Sequence, residues 1–172
     1  MIRRLAALAL AATLTPPGPL WADPTDPLES SAYYGSVRNW LVEALNVGGV
    51  FTGCRATIPL QSAGPLLLER SYAGYGDWTI FMPTSQAPSP VFGRRLHARF
   101  SVDQDEVPTE VLLYPGGWAS MALDEPMRQR LMDGNILTAQ LAGEETRQWI
   151  LNGSTAALEL AQECYERQGA VW

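Results

Sequence analysis

Alternating apolar and polar positions run through the middle of this chain and predict β-strands. In Val50–Ile58, Cys54 and Ala56 share one face with the two ends of the segment, so Cys54 is expected to face the core, while Arg55 and Thr57 point the other way. Leu96–Val102 alternates equally well, with apolar residues such as Phe100 on one side and basic residues on the other. Both segments have the pattern of half-buried antiparallel strands.

Shorter apolar and β-branched runs, bounded by glycine, proline and asparagine, predict further strands. Val37–Leu45 also fits a helical stripe, but the turn at 46–49 and the strand after it favour a hairpin, so we interpret the segment as a strand. The remaining predicted strands are Leu66–Ser71, Trp78–Met82, Val107–Tyr114, Trp118–Ala122, Ile136–Ala142 and Thr146–Leu151.

Two helices are predicted late in the chain. Asp124 can cap a short helix that has Pro126 in its first turn and ends at Gly134. Ser154 can cap a terminal helix over Thr155–Gln168. The whole pattern predicts a mainly β (α+β) fold, an antiparallel β-sandwich or barrel of about eight strands with the C-terminal helix packed on it.

The first 22 residues have the composition of a signal peptide. Arg3 and Arg4 form a basic start, and Leu5–Thr15 is an apolar run that ends at Pro16, Pro17 and Pro19. This run is too short to span a membrane, which takes about 20 residues, and we predict no transmembrane segment. The predicted organisation is a signal peptide at 1–22, a flexible Pro- and Ser-rich lead at 23–36 and a single β-rich domain at 37–172.

Net charge and residue usage indicate which partners and which cellular compartment to expect. Beyond residue 22 the chain has 10 arginines against 18 acids, a formal net charge of −8, and it contains no lysine at all. Such a balance argues against binding to nucleic acid or to anionic lipid surfaces. Arginine without lysine, behind an alanine-rich leader, is typical of a GC-rich bacterial genome, so we expect a periplasmic or secreted protein of a Gram-negative bacterium.

Cys54 and Cys164 are the only two cysteines. On the terminal helix, Ala157, Ala161 and Cys164 lie at helical spacing on one face, so Cys164 is expected to point inward as Cys54 does. In an oxidising compartment such a pair predicts a disulfide, which would close a loop of about 110 residues. The alternatives are a redox-active pair, which is usually spaced C-x-x-C, and two free buried thiols.

Candidate catalytic groups are sparse. His97, the only histidine, lies on the outward side of its strand between Arg95 and Arg99, where like charge disfavours its protonation. No G-x-S-x-G motif is present, and the acidic turn at 103–106 lacks the spaced ligands of a calcium loop. We predict no catalytic residue, metal site or cofactor, while a carboxylate pair that meets only in space remains an alternative.

Two features are candidate binding surfaces. The first, here called the basic stripe, consists of Arg94, Arg95, His97 and Arg99. The second, the aromatic loop, consists of Tyr72, Tyr75 and Trp78 with nearby glycines. Each also has a structural interpretation, because basic stripes often pair with acids across a sheet and tyrosines often cover the end of a core.

Three segments give the chain a resemblance to a known family. They are "LHARFSVD", "MRQRLMDGNILTAQL" and "LNGSTAALELA", with an echo in "NWLVEALNVGGVFTGCRA". Over roughly Leu96–Cys164 three features follow one another. They are a strand that ends in Asp, a short helix that precedes a Gly-bounded strand, and a helix that begins with Leu-x-Gly-x-x-x-Ala-Leu. In this the chain resembles the invasion-associated locus B family of small exported bacterial proteins. The resemblance implies a periplasmic or surface protein linked to host-cell interaction, with no catalytic residues to carry over.

The interpretation that fits these observations best is an exported periplasmic or surface binding domain without catalytic activity. Its expected partner is a protein or an envelope component. The acidic charge also suits a periplasmic inhibitor of a basic hydrolase such as lysozyme, and a carboxylate-dependent hydrolase is a third alternative. No motif separates the three, so the decision depends on which side chains the fold brings together.

Overall fold

Ten strands in one antiparallel sheet and two helices make up the described part of the chain. The structure, a computed structural model, describes residues 28–59, 61–72, 77–86, 93–114 and 116–171. Within them no helix has the length and apolar character needed to cross a membrane. The elements are β1 (Glu29–Val37), β2 (Trp40–Val47), β3 (Val50–Ile58), β4 (Leu66–Ser71), β5 (Trp78–Pro83), β6 (Arg94–Val102), β7 (Asp105–Tyr114), β8 (Trp118–Leu123), α1 (Glu125–Asp133), β9 (Ile136–Leu141), β10 (Arg147–Ile150) and α2 (Ser154–Glu166).

The strand order across the sheet is β1-β2-β3-β4-β5-β8-β7-β6-β9-β10, with every neighbouring pair antiparallel. β1 to β5 follow chain order because short turns suffice between antiparallel neighbours. β6, β7 and β8 then lie in reverse order, and β9 and β10 complete the far side. The predicted mainly β fold with two helices is confirmed, and the sheet is not closed into a barrel.

The first strand lies in the segment predicted as a flexible lead. Residues 29–36 of that lead, 23–36, belong to β1, which pairs with β2 along its length and has one bulge. Cross-strand pairing thus overrides the turn tendency of its serines and glycine. The strand predicted over Val37–Leu45 begins later, because Arg38 takes a left-handed φ of 53° in the turn before β2. The predicted signal peptide, 1–22, lies outside the described residues.

The main core covers one face of the sheet, here called the inner face, and α2 packs on that face. Trp40, Phe100 and Trp149 are among its largest fully buried side chains. Leu67, Phe81 and Tyr114 form a smaller apolar cluster. Along their strands these residues alternate with main-core residues, so the smaller cluster lies on the outer face. The central strands therefore bury side chains on both faces, which a half-buried strand pattern does not anticipate.

The predicted cap of the short helix is confirmed. Asp124 is the N-cap of α1, and its carboxylate accepts a hydrogen bond from the Met127 backbone N–H at 2.8 Å. The predicted cap of α2 is wrong, because Gly153, with a φ of 89°, holds that position and Ser154 is the first helical residue. The Ser154 hydroxyl instead donates to the Leu131 carbonyl at 2.7 Å, which ties the start of α2 to the end of α1.

The two cysteines lie fully buried between β3 and α2. The sulfur atoms of Cys54 and Cys164 are 1.94 Å apart and their Cα atoms 6.1 Å apart, within the usual Cα range of a disulfide. This arrangement fits the predicted disulfide, which would link positions separated by 110 residues. Ala157 and Ala161 are buried on the same face of α2, as their spacing predicted.

The two edges of the sheet differ. At β10, the Gln61 side chain bonds both backbone groups of Ile150: its Nε2 donates to the carbonyl at 3.0 Å and its Oε1 accepts from the N–H at 2.8 Å. The Trp149 indole N–H donates to the Gly64 carbonyl at 2.9 Å. The β3–β4 connection therefore covers this edge, whereas β1, at the other edge, pairs only with β2 among the described strands.

Candidate functional site

The basic stripe lies along β6. Arg95, His97 and Arg99 alternate with inner-face residues, and their side chains are 71%, 86% and 68% exposed on the outer face. Arg94 is exposed as well, but its place in the alternation puts it on the opposite side of the strand. The structure thus brings three of the four predicted residues together on one surface.

Glutamates of the neighbouring strand β7 pair with the stripe. Arg95 Nη1 donates to Glu110 Oε2 at 3.0 Å, and His97 Nδ1 lies 3.9 Å from the other oxygen of that carboxylate. Arg99 Nε lies 3.6 Å from Glu106 Oε1. The expected pairing with acids across the sheet is therefore present, and the surface carries both signs of charge.

The aromatic loop does not form a single surface among the described residues. Trp78 is 6% exposed and belongs to the main core. Tyr72 is 49% exposed, and its ring centroid lies 5.8 Å from that of Phe51 and 5.0 Å from that of Tyr165. Tyr75 lies outside the described residues. Tyr72 therefore covers one end of the core with partners that sequence proximity did not indicate.

Arg70 lies over this aromatic cluster. Its guanidinium carbon is 4.6 Å from the Tyr165 ring centroid, and its Nη1 donates to the Gln162 side-chain oxygen. Burial raises the pKa of Tyr165, with Tyr72 adding to the shift and Arg70 opposing it. The contact of a cation with an aromatic ring contributes about 0.5–1 kcal/mol at exposed sites. Arg70 therefore has a packing role between β4 and α2.

Sequence reasoning missed a buried charge cluster, formed by Glu29, Arg55 and Glu69. Arg55 donates to Glu69 from Nε at 3.1 Å and from Nη2 at 2.8 Å, and to Glu29 from Nη1 at 2.9 Å and Nη2 at 3.2 Å. The side chains of Glu29, Arg55 and Glu69 are only 8%, 8% and 2% exposed. Alternation had correctly placed Arg55 on the side away from Cys54, but that side is covered here.

Burial shifts the ionisation of this cluster. It raises the pKa of Glu69 by disfavouring the carboxylate, although Arg55 acts in the opposite direction. Burial alone would lower the pKa of Arg55, but Glu69 and Glu29 outweigh it and the pKa is raised. Both carboxylates converge on one guanidinium, which is the geometry of a structural ion-pair network.

A second buried carboxylate also escaped sequence reasoning. Glu144, in the β9–β10 turn, is 2% exposed and lies 2.9 Å from Arg147. Its Oε1 accepts from the backbone N–H groups of Ser85 and Gln86 at 3.0 and 3.2 Å and from the Thr84 hydroxyl. Glu144 therefore anchors the segment after β5 to the far side of the sheet. No periodic pattern marks a residue in such a turn.

The acidic turn after β6 has a structural explanation. Asp103 accepts hydrogen bonds from the backbone N–H groups of Asn135 and Ile136 at 3.2 and 3.1 Å, so it fixes the connection between α1 and β9. In the part of the chain that the structure describes, no three His, Cys, Asp or Glu side chains are grouped closely enough to hold a metal ion.

Comparison with known proteins adds a likeness in fold. No protein-family model matches the chain, and no curated protein sequence matches it. The crystal structure of invasion associated protein B from Bartonella henselae is similar, with a TM-score of 0.53 and 16% sequence identity. The alignment covers 82% of this chain and 99% of that chain. At this identity the likeness is one of fold, over most of both chains.

Proposed function

We propose that this protein is an exported binding domain of the bacterial periplasm or cell surface and that it has no catalytic activity. The signal-peptide pattern at 1–22 supports export, and the buried pair of Cys54 and Cys164 suits an oxidising compartment. The likeness in fold to a Bartonella henselae protein that is named for its association with invasion fits such a binding role.

The exposed charged side chains on β6 and β7 carry the proposed binding role. They are here called the charge row and comprise Arg95, His97, Arg99, Glu106 and Glu110. Every ionic side chain in it is between 46% and 86% exposed, and the longest separations, 3.6 and 3.9 Å, are loose. Exposed pairs of this kind contribute at most about 1 kcal/mol, because water screens them and holding two long side chains is costly. A partner can therefore replace Glu106 or Glu110 at little cost to the fold.

This charge row also sets the chemistry of the partner. Arg95, His97 and Arg99 form a row of basic side chains on a chain whose net charge beyond residue 22 is −8. In the free protein Glu106 and Glu110 balance the charge of this row. An acidic patch on a protein or envelope component that takes the place of these glutamates would be held and oriented by the row, since complementary charges fix the register of an interface. The proposed binding site is therefore the outer face of β6 and β7.

Capture of partners from envelope extract tests this function. The full chain is immobilised beside an Arg95→Glu/Arg99→Glu variant and a control, Arg38→Glu/Arg128→Glu, that changes net charge equally. We expect a defined protein or envelope component to bind the wild type and the control and to be lost from the first variant. Capture of nothing by the wild type would contradict a binding role, and equal capture by all three would exclude this surface.

A further inference from the structure

We propose that the outer edge of β1, which no other described strand covers, is a second binding surface, which accepts an extended, basic segment of a partner protein as an eleventh strand. This goes beyond the charge row on β6 and β7, because it involves the opposite edge of the sheet and the opposite sign of partner charge. It rests on the protein being a binding domain, and its test is separable from that of the charge row.

The first argument is the unequal treatment of the two edges. The Gln61 amide satisfies both the N–H and the carbonyl of Ile150, so β10 has little left to offer a further strand at that point. No described strand pairs with the outer side of β1. An edge strand that keeps its unpaired backbone groups is a template for pairing with another chain.

The second argument is the composition of β1. The residues from Ser30 to Ser36 are neutral, and they include no proline, lysine or arginine, the residues that commonly protect an edge. Ser30, Ser31, Ala32 and Tyr33 are all exposed. The bulge between Tyr33 and Gly35 leaves the stretch before it in regular register with β2. This stretch of β1 is therefore both accessible and straight enough to accept a strand.

The third argument is charge, which selects the partner. On the outer face, Tyr33, Glu43, Arg55 and Glu69 lie side by side across four strands. Glu29 and Glu69 pair with Arg55, and Glu43 lies opposite it on β2, so three carboxylates accompany a single arginine and this part of the sheet carries an uncompensated negative charge. Glu43 is the carboxylate nearest the open edge, and its Oε1 accepts from the Ser31 hydroxyl at 2.7 Å.

A basic side chain on an added strand would continue this row. It would lie beside Tyr33, whose ring is 64% exposed, and within reach of Glu43. Contact of a guanidinium with a tyrosine ring and attraction to a carboxylate both favour arginine or lysine at that position. A second copy of this chain fits less well, because two copies of net charge −6 repel and the strand offers no basic residue of its own.

Residue-resolved hydrogen exchange of the full chain tests the proposal. The probe is an acetylated and amidated ten-residue peptide in which threonine and arginine alternate, and its control replaces every arginine by glutamate. We expect exchange of β1 amides to slow at least tenfold with the arginine peptide, with no change at β10 and none with the glutamate peptide. Protection confined to other strands, or no protection at millimolar peptide, would overturn the proposal. So would β1 protection that grows with protein concentration alone, because it would identify a second copy as the occupant.

Two charge-reversal variants separate this surface from the charge row. Glu43→Lys should weaken binding of the arginine peptide at least tenfold, whereas Glu110→Lys, an equal charge change on β7, should leave it unchanged. Thermal unfolding of both variants checks that the fold persists. If Glu43→Lys does not unfold the protein and still binds normally, the β1 surface is wrong. Loss of binding in Glu110→Lys alone would assign the peptide to the charge row, and the β1 proposal would fail while the proposed function stands.

Discussion

Arginine–glutamate pairs lie across neighbouring strands in both halves of the sheet, but their burial is opposite. In the half from β1 to β5, Arg55 and Glu69 are 2.8 Å apart with side chains 8% and 2% exposed. In the half from β6 to β10, Arg95 and Glu110 are 3.0 Å apart with side chains 71% and 46% exposed. Distance alone therefore does not reveal the role of a pair. The buried pair is part of the folded interior, whereas the exposed pair is open to solvent.

Removal of the buried cation should have the largest effect. Arg55→Ala leaves Glu69 and Glu29 buried without a counter-charge, and we expect the free energy of unfolding to fall by about 3–5 kcal/mol. Urea unfolding followed by tryptophan fluorescence measures this loss. The matched control, Arg95→Ala, should cost no more than about 1 kcal/mol. Equal losses in the two variants would remove the difference between the halves.

Removal of the disulfide should have the next largest effect, and this effect should differ between the two halves of the sheet. We expect Cys54→Ala/Cys164→Ala to lower the free energy of unfolding by about 2–5 kcal/mol, because the cross-link restricts the unfolded chain. Since it joins β3 to α2, amide exchange should accelerate more in β1 to β5 than in β6 to β10. Alkylation and mass measurement of the native protein, with and without reductant, checks the bond itself. Two free thiols in the native protein would contradict it.

The response to salt should be smaller and confined to the exposed half. A double-mutant cycle on Arg95 and Glu110 should give a coupling of about 0.2–1 kcal/mol that shrinks as sodium chloride is added. The same cycle on Arg55 and Glu69 should give a larger coupling with little dependence on salt, because burial limits screening. A salt-sensitive coupling at Arg55 would show that water reaches the cluster.

The smallest effects are the changes in stability with pH, and they should have opposite signs for Glu69 and Glu125. The pKa of Glu69 is raised, so its contribution to stability is present below about pH 4.5 and is lost as pH rises through the folded value. The pKa of Glu125 is lowered, chiefly by its hydrogen bond from Arg128, so its contribution is present above that pH and lost as pH falls. Wild type should gain stability relative to Glu69→Gln on acidification and lose it relative to Glu125→Gln. Thermal unfolding across this range measures both, and parallel curves would contradict the assignment.

Most of the strands were predictable because their inner faces are regular. Val50–Ile58 and Leu66–Ser71 match the predicted bounds. The first segment alternates, and the second is an apolar run bounded by turns. β1 was not predictable, because serine and glycine have no strong strand preference and the partner β2 supplies the pairing. The cap of α2 was assigned to Ser154 from residue type alone, whereas Gly153 can take the positive φ that this turn needs.

For the candidate site, the sequence predicted only the face of the sheet on which each side chain lies. Alternation correctly placed Arg95, His97 and Arg99 on the outer face, but it could not show which acids face them, because register between strands is a tertiary property. The same rule placed Arg55 outward, yet the side chain is buried. A single-strand pattern reports which face a residue belongs to and carries no information on what covers that face.

The Gln61 side chain that bonds both backbone groups of Ile150 has a consequence for self-assembly. A sheet with two open edges can add copies at both and grow into a fibre, because each added molecule presents a new edge. Here the chain's own amide already occupies the backbone groups of Ile150 at one edge. A pair of molecules joined through β1 would expose only the two β10 edges, where Gln61 opposes the addition of a further strand, so growth of the sheet beyond a pair is disfavoured.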